Sequence, residues 1–363
     1  MEEATSRSEG AKILAVRSSQ TAFVTGVPSP EAYYVNFLVS ECLRRAYGEV
    51  DAVALNDASE STLNRWSGGS QNKVFFSDLP DADVVELILR SSAPLIFVTV
   101  DLCTATRQFM TARGISARDA VLAIFDCYAA VAPLQTDPRA VVVSIKKFAT
   151  ALDLAKFLGH AVGIEREPWN RIEALFRDEC DLSRSVESAL SEFSSRIGKT
   201  ERFETAEDEF ILRELSDSIT SKSDGSLHSF RIPLSLILGG EPPYLPAHRP
   251  IELTGPARML TFGPYIALPS GEWQVRFEFE SLDNQASNSF TFDVFVEGIA
   301  ITEWSIELID NGRYAASVPF RLEQRGRLIE FRTHLRAGAI YGQFRLISVE
   351  VAWQTSLLTS RLT

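Results

Sequence analysis

Phe23-Val24-Thr25-Gly26-Val27-Pro28-Ser29-Pro30-Glu31-Ala32 reads as a buried strand, a tight turn and the start of a helix, and its reading decides the fold of the first half of the chain. Residues 22–24 are apolar, Gly26 and Pro28 punctuate the turn, and helical apolar spacing runs over 31–47. Such a turn aims the free N–H groups of a helix start beyond the strand end, a geometry that suits an anion. The side chains do not. Glu31 puts a carboxylate in the first helical turn, and no Lys or Arg occurs between Thr21 and Cys42.

Outward from this segment, apolar runs at 50–55, 74–77, 95–100 and 140–145 alternate with amphipathic stretches at 82–91, 104–113, 117–131 and 148–163. The alternation predicts an α/β domain over 20–164, a parallel sheet covered on both faces whose ligands would sit beyond the carboxyl ends of its strands. Residues 1–19 read as a flexible tail. Residues 165–222 turn polar with helical spacing (Ile172, Leu175, Phe176, then Val186, Leu190, Phe193, Ile197), and Thr205 with Asp208 reads as a capping box opening another helix. Residues 223–250, with four prolines after Gly239, read as a linker.

The period switches to two over 251–355. Trp273, Val275, Phe277 and Phe279 alternate with Gln274, Arg276, Glu278 and Glu280; Phe290, Phe292, Val294 and Val296 repeat the pattern. Phe344, Leu346, Ser348 and Glu350 read as one face against Arg345, Ile347, Val349 and Val351. Turn signals at Asp283-Asn284, Asn311-Gly312 and Arg325-Gly326 complete the expectation of an antiparallel, jelly-roll-like β-sandwich.

At 363 residues the chain has length for two domains, and 45% hydrophobic with 23% charged residues is an ordinary globular balance. A net charge of −12 opposes non-specific binding to nucleic acid and anionic lipid. No apolar run approaches a membrane span, and the acidic start Met1-Glu2-Glu3 lacks signal-peptide character, so a cytoplasmic location without membrane insertion is expected. Cys42, Cys103, Cys127 and Cys180 lack metal spacing, and His160, His228, His248 and His334 have no paired ligand near them, so no metal is expected. Ser67-Gly68-Gly69-Ser70 reads as a surface loop.

On these motifs the first domain resembles the sulfotransferase family, a P-loop-type α/β fold using 3′-phosphoadenosine-5′-phosphosulfate. Gly26-Val27-Pro28 matches the family's opening turn, but Ser29 stands at the cation position. Phe76-Ser77-Asp78-Leu79-Pro80 aligns with the strand that carries the family's catalytic histidine, putting Asp78 at the position of the base. In the element that grips the 3′-phosphate, Val100 replaces arginine, Asp101 is kept and Arg107 is the one cation left. The resemblance implies Gly26, Ser29 and Arg107 as cofactor contacts and Asp78 as catalytic residue. Each missing contact is charge-assisted and worth about 1.5–3 kcal/mol, so their joint loss implies a degenerate domain with no cofactor.

The β half is similar to carbohydrate-binding sandwiches of bacterial glycan-modifying proteins, on the segment Phe262-Gly263-Pro264-Tyr265 through Pro269-Ser270-Gly271-Glu272-Trp273. Sugar recognition needs aromatic platforms and planar polar groups, for which Tyr265, Trp304, Arg332, His334 and Tyr341 are the candidates. The expected function is a degenerate sulfotransferase-like protein of surface-polysaccharide metabolism whose sandwich binds a glycan or protein partner. Two alternatives stand beside it: an active sulfo- or phosphoryl transferase using 3′-phosphoadenosine-5′-phosphosulfate through replaced contacts, and a structural protein that pairs with its own copy as a homo-oligomer.

Overall fold

The computed structural model describes residues 21–55, 72–165, 169–170, 172–174, 176, 183–196, 205–218, 229–285, 287–324 and 326–354. The expectations for 1–19, Ser67 to Ser70, Leu175, Cys180, Ile197, His228 and Arg325 fall outside these residues. The chain forms two compact units: residues 1–100, 111–113 and 130–201 in one, residues 101–110, 114–129 and 202–363 in the other.

In the first unit, β1 (Thr21–Gly26), β2 (Asp51–Ala54), β3 (Lys73–Ser77), β4 (Leu95–Val98) and β5 (Ala140–Val143) form a parallel sheet in the order β2-β3-β1-β4-β5. Connections leave β1 and β4 in opposite directions, so the ligand crevice of such a sheet lies between their carboxyl ends. The helix α1 (Pro30–Tyr47) follows β1, and α2 (Ala82–Arg90) follows β3. Ala22, Val24, Leu38, Val74, Ile96 and Leu158 are core residues with at most 1% exposure.

Capping explains where the helices begin. Asp101 accepts from Thr104 N–H at 2.8 Å, so β4 stops at Val98 and α3 (Leu102–Arg113) starts earlier than the apolar pattern predicts. The next helix, α4, spans Ala117–Gln135. Thr150 Oγ1 accepts from Asp153 N–H at 3.1 Å, delaying α5 to Ala151–Ala161 rather than 148–163. Cys42 is buried among these helices, and burial pushes its thiol up to about 12, against the lowering effect of Arg45.

The predicted helical extension divides: α6 (Val186–Arg196) belongs to the first unit, α7 (Ala206–Ser218) to the second. The start of α7 is the expected capping box, with Thr205 Oγ1 accepting from Asp208 N–H at 3.1 Å and Asp208 Oδ2 from Thr205 N–H at 3.0 Å. The stretches 101–110 and 114–129, expected in the α/β domain, group with the second unit.

That second unit is a sandwich of two antiparallel sheets. One runs β13 (Ile299–Leu308), β12 (Asn288–Val296), β15 (Leu328–Leu335), β9 (Arg258–Phe262), β7 (Leu238–Gly239), with β10 (Pro264–Ala267) also on β15. The other runs β14 (Gly312–Leu322), β11 (Gly271–Leu282), β16 (Gln343–Trp353), β6 (Ser229–Ile232), with β8 (Ile251–Glu252) on β16. Residues 229–250, expected as linker, are therefore part of the sandwich: β6 and β7 lie in its sheets. Phe277, Phe279, Phe290, Phe292 and Phe344 meet inside it at ring separations of 4.9–6.1 Å.

The expected faces of β16 need correction. Its register on β11 shifts between Glu278 and Phe279, leaving Ile347 opposite no single residue. Phe344 and Leu346 point inward before this bulge and Val349 and Val351 after it, because the extra residue reverses the alternation.

Candidate functional site

At the carboxyl edge of the parallel sheet Gly26, Ser29 and Asp78 are engaged by the chain itself, while the buried Ser77 Oγ at the end of β3 has no hydrogen-bond partner among the described residues. Gly26 ends β1 where a Cβ would lie 2.5 Å from the Val98 carbonyl oxygen, so glycine serves the close approach of β1 and β4. Ser29 is fully buried, and its Oγ accepts from Ala32 N–H at 3.1 Å as the N-cap of α1. Glu31, buried at 6% exposure in the first turn, already complements the helix dipole. Asp78 accepts a hydrogen bond from Tyr33 O–H. Burial raises the Tyr33 phenol well above its ordinary value, the Asp78 hydrogen bond and charge add to this, and Arg113 offsets part of it. Arg107 is exposed on α3, in the stretch belonging to the other unit. Among the described residues no three His, Cys, Asp or Glu side chains cluster as a metal site.

The sandwich carries a denser constellation on the outer face of the β12–β15 sheet. Period two sends Phe290, Phe292 and Val294 inward and Thr291, Asp293 and Phe295 outward, while Glu330, Arg332 and His334 point outward from β15. Asp293 pairs with Arg332 across the strands, and the two make a fork of two 2.8 Å bonds: Nε to Oδ1 and Nη2 to Oδ2. His334 Nε2 lies 3.1 Å from Oδ2. Burial works to raise the Asp293 carboxyl, but the His334 and Arg332 bonds and charges outweigh it and hold it below the ordinary value. The Arg332 guanidinium lies over the Phe295 ring, 3.5 Å from its centroid.

Aromatic rings flank this polar row. Tyr244 stands edge-on to Phe262 at 5.8 Å, and Phe262 edge-on to Tyr265 at 6.2 Å. Both tyrosines follow a cis prolyl bond and hold left-handed backbone, φ 56° at Tyr244 and 68° at Tyr265, which bulky residues rarely adopt. The two residues remain 49% and 37% exposed. Burial raises both Tyr265 and Glu330; the Glu330 charge adds to the rise at Tyr265, and Arg332 pulls Glu330 back in part. The sheet thus presents a ring row, then a carboxylate, a guanidinium and an imidazole fixed by mutual contacts.

Of the sequence candidates, Tyr265, Arg332 and His334 come together on this face. Trp304 does not join them. It pairs with Phe292 in register, so its ring lies on the inward side of the sheet, 6.0 Å from the Phe292 ring. Tyr341 sits on a loop, 54% exposed, its carbonyl accepting from Asn288 Nδ2 at 3.2 Å. The sequence reading missed Tyr244, Phe262, Asp293, Phe295 and Glu330. Asp293 and Phe295 follow from alternation, as the outward partners of the predicted core positions Phe290, Phe292, Val294 and Val296; Glu330 lies on a strand for which no alternation was read, and Tyr244 lies among prolines whose turn geometry carries no periodic signal.

No family model matches the sequence, and no curated protein matches it. Among solved structures, the chain is similar to TmCBM61 in complex with β-1,4-galactotriose, at 15% identity over 29% of this chain and 69% of that one, with a TM-score of 0.23. It is similar to the family 11 carbohydrate-binding module of Clostridium thermocellum in complex with a β-1,3-1,4-mixed-linked tetrasaccharide, at 14% identity over 38% and 95%, TM-score 0.21. The insecticidal delta-endotoxin Cry8Ea1 of Bacillus thuringiensis is similar at 14% identity over 29% and 19%, TM-score 0.20. No described helix is long and apolar enough to cross a membrane.

Proposed function

We propose that the outer face of the β12–β15 sheet binds carbohydrate. The observation that carries this reading is the pair of exposed tyrosines Tyr244 and Tyr265, with the half-buried Phe262 between them, on the sheet whose outer face holds Arg332 and His334 fixed on Asp293. Aromatic faces pack on the C–H faces of pyranose rings, while carboxylate, guanidinium and imidazole groups read hydroxyls in known directions. A pre-formed face loses little ordering entropy on binding, and the mutual bonds of Asp293, Arg332 and His334 supply that order. A glycan array probed with the full chain tests the reading: binding to at least one oligosaccharide class, reduced by Tyr265→Ala, is expected. An array blank for the full chain defeats it.

For the α/β unit we propose a non-catalytic frame of sulfotransferase-like type that uses no sulfuryl donor. The capping role of Ser29, the buried Glu31 and the Tyr33–Asp78 hydrogen bond support this. Calorimetric titration with adenosine 3′,5′-bisphosphate tests it, no heat being expected; saturable micromolar binding would return the unit to the transferases.

A further inference from the structure

On the loop that carries Tyr244, residues 239–250 fold back over β9 and enclose a cleft of about 280 Å³. Its walls are apolar: Pro242, Pro243, Leu245 and Pro246 from the loop, Met259 and Leu260 from β9. Hydrogen bonds from Gly239 N–H to Leu245 O and from Gly240 N–H to Leu260 O, both 2.8 Å, hold the loop. Gly240 allows the close approach, since a Cβ there would lie 2.1 Å from Met259 O.

Three charged side chains line the cleft: Glu241, Arg249 and Arg258. Arg258 is committed to structure. Its Nε lies 2.8 Å from Glu241 Oε1, and its other nitrogens donate to the carbonyls of Glu252, Leu253 and Pro256. Glu241 is thereby neutralised. Arg249 is different: it is exposed at the cleft, and among the described residues it has no ion-pair or hydrogen-bond partner. Among the described residues the cleft therefore carries one uncompensated positive charge, on a chain of net charge −12.

A guanidinium fork facing a small, proline-walled cleft matches a ring that bears a carboxylate: flat C–H faces against the prolines, two acceptor oxygens against the fork. We infer that the cleft is a subsite for an acidic sugar, so the glycan taken by this face carries uronic acid residues, one of them held by Arg249 while neighbouring sugars lie along Tyr244, Phe262 and Tyr265. This inference rests on the carbohydrate reading above. It accounts for an arginine without a partner among the described residues and for a cleft lined by Pro243 and Leu245, the chain neighbours of Tyr244.

The test uses the full chain on an array of uronate-containing oligosaccharides printed beside their carboxyl-reduced counterparts, followed by calorimetry on the best pair. The expected result is a preference of roughly tenfold or more for the uronate form, the worth of one charge-assisted contact. Arg249→Gln abolishes that preference; Tyr265→Ala weakens both forms alike and keeps the preference. Binding of neutral glycans only, equal binding of the two forms, or a preference that survives Arg249→Gln overturns the acidic subsite while the carbohydrate reading stands. A chain that binds no glycan removes both.

Discussion

Asp293→Ala should unfasten the outer face of the sandwich, and its effect can be worked from the contacts. Asp293 is 4% exposed and uses both oxygens: Oδ1 for Arg332 Nε, Oδ2 for Arg332 Nη2 and His334 Nε2. Removing the carboxylate strands Arg332, whose side chain is only 17% exposed and lies against Phe295. Breaking one side of a buried ion pair costs about 3–5 kcal/mol, and the partial exposure of Arg332 and His334 puts this case near ~3. A double-mutant cycle with Arg332→Ala isolates the pair, read by hydrogen exchange on peptides covering β12 and β15 so that the other unit does not contribute. The coupling energy expected is about 1.5 kcal/mol or more, the lower end for hydrogen bonds between charged groups. The sign with pH follows from the lowered Asp293 carboxyl: its stabilisation is fully present above the unfolded value, about 3.9, and is lost as pH falls through the lower folded value. Asp293→Asn should therefore be less stable at neutral pH and lose less on acidification than the native chain. A coupling below about 0.5 kcal/mol, within the additivity of independent sites, would refute the reasoning.

Gly26→Ala should destabilise the α/β unit by about 1–3 kcal/mol, since its Cβ would press on the Val98 carbonyl, a backbone atom of the neighbouring strand; hydrogen exchange on β1 and β4 checks this. Ser29→Ala should cost about 1 kcal/mol by removing the N-cap of α1, without creating affinity for adenosine 3′,5′-bisphosphate in calorimetry, because Glu31 remains in the first turn. Tyr33→Phe should destabilise the same unit by about 1–3 kcal/mol, read by hydrogen exchange on α1, because it removes the donor to Asp78.

The α/β elements were legible because each strand is a short apolar run closed by a turn or cap residue; the misjudged ends, at Asp101 and Thr150, are where a capping side chain rather than the apolar pattern sets the boundary. On β16 alternation failed at Ile347, since a bulge depends on the partner strand and leaves no local mark. Arg332 and His334 were legible only by their chemistry; the strand that puts them on one side, and their common partner Asp293 across the sheet, come from the register of β12 on β15. Trp304 shows the converse: an aromatic with the right chemistry is turned to the inner side by its pairing with Phe292. The left-handed backbone of Tyr244 and Tyr265, which sets the ring row, has no sequence signal beyond the prolines before them.

The central claim is that the exposed tyrosine row binds sugar. Calorimetric titration of the full chain with its best array oligosaccharide, native against Tyr244→Ala and Tyr265→Ala, tests it most directly. Aromatic contacts worth about 0.5–1.5 kcal/mol beyond their buried area predict a loss of affinity of roughly tenfold for each variant. Native affinity in both variants would contradict the account and move the site off this face.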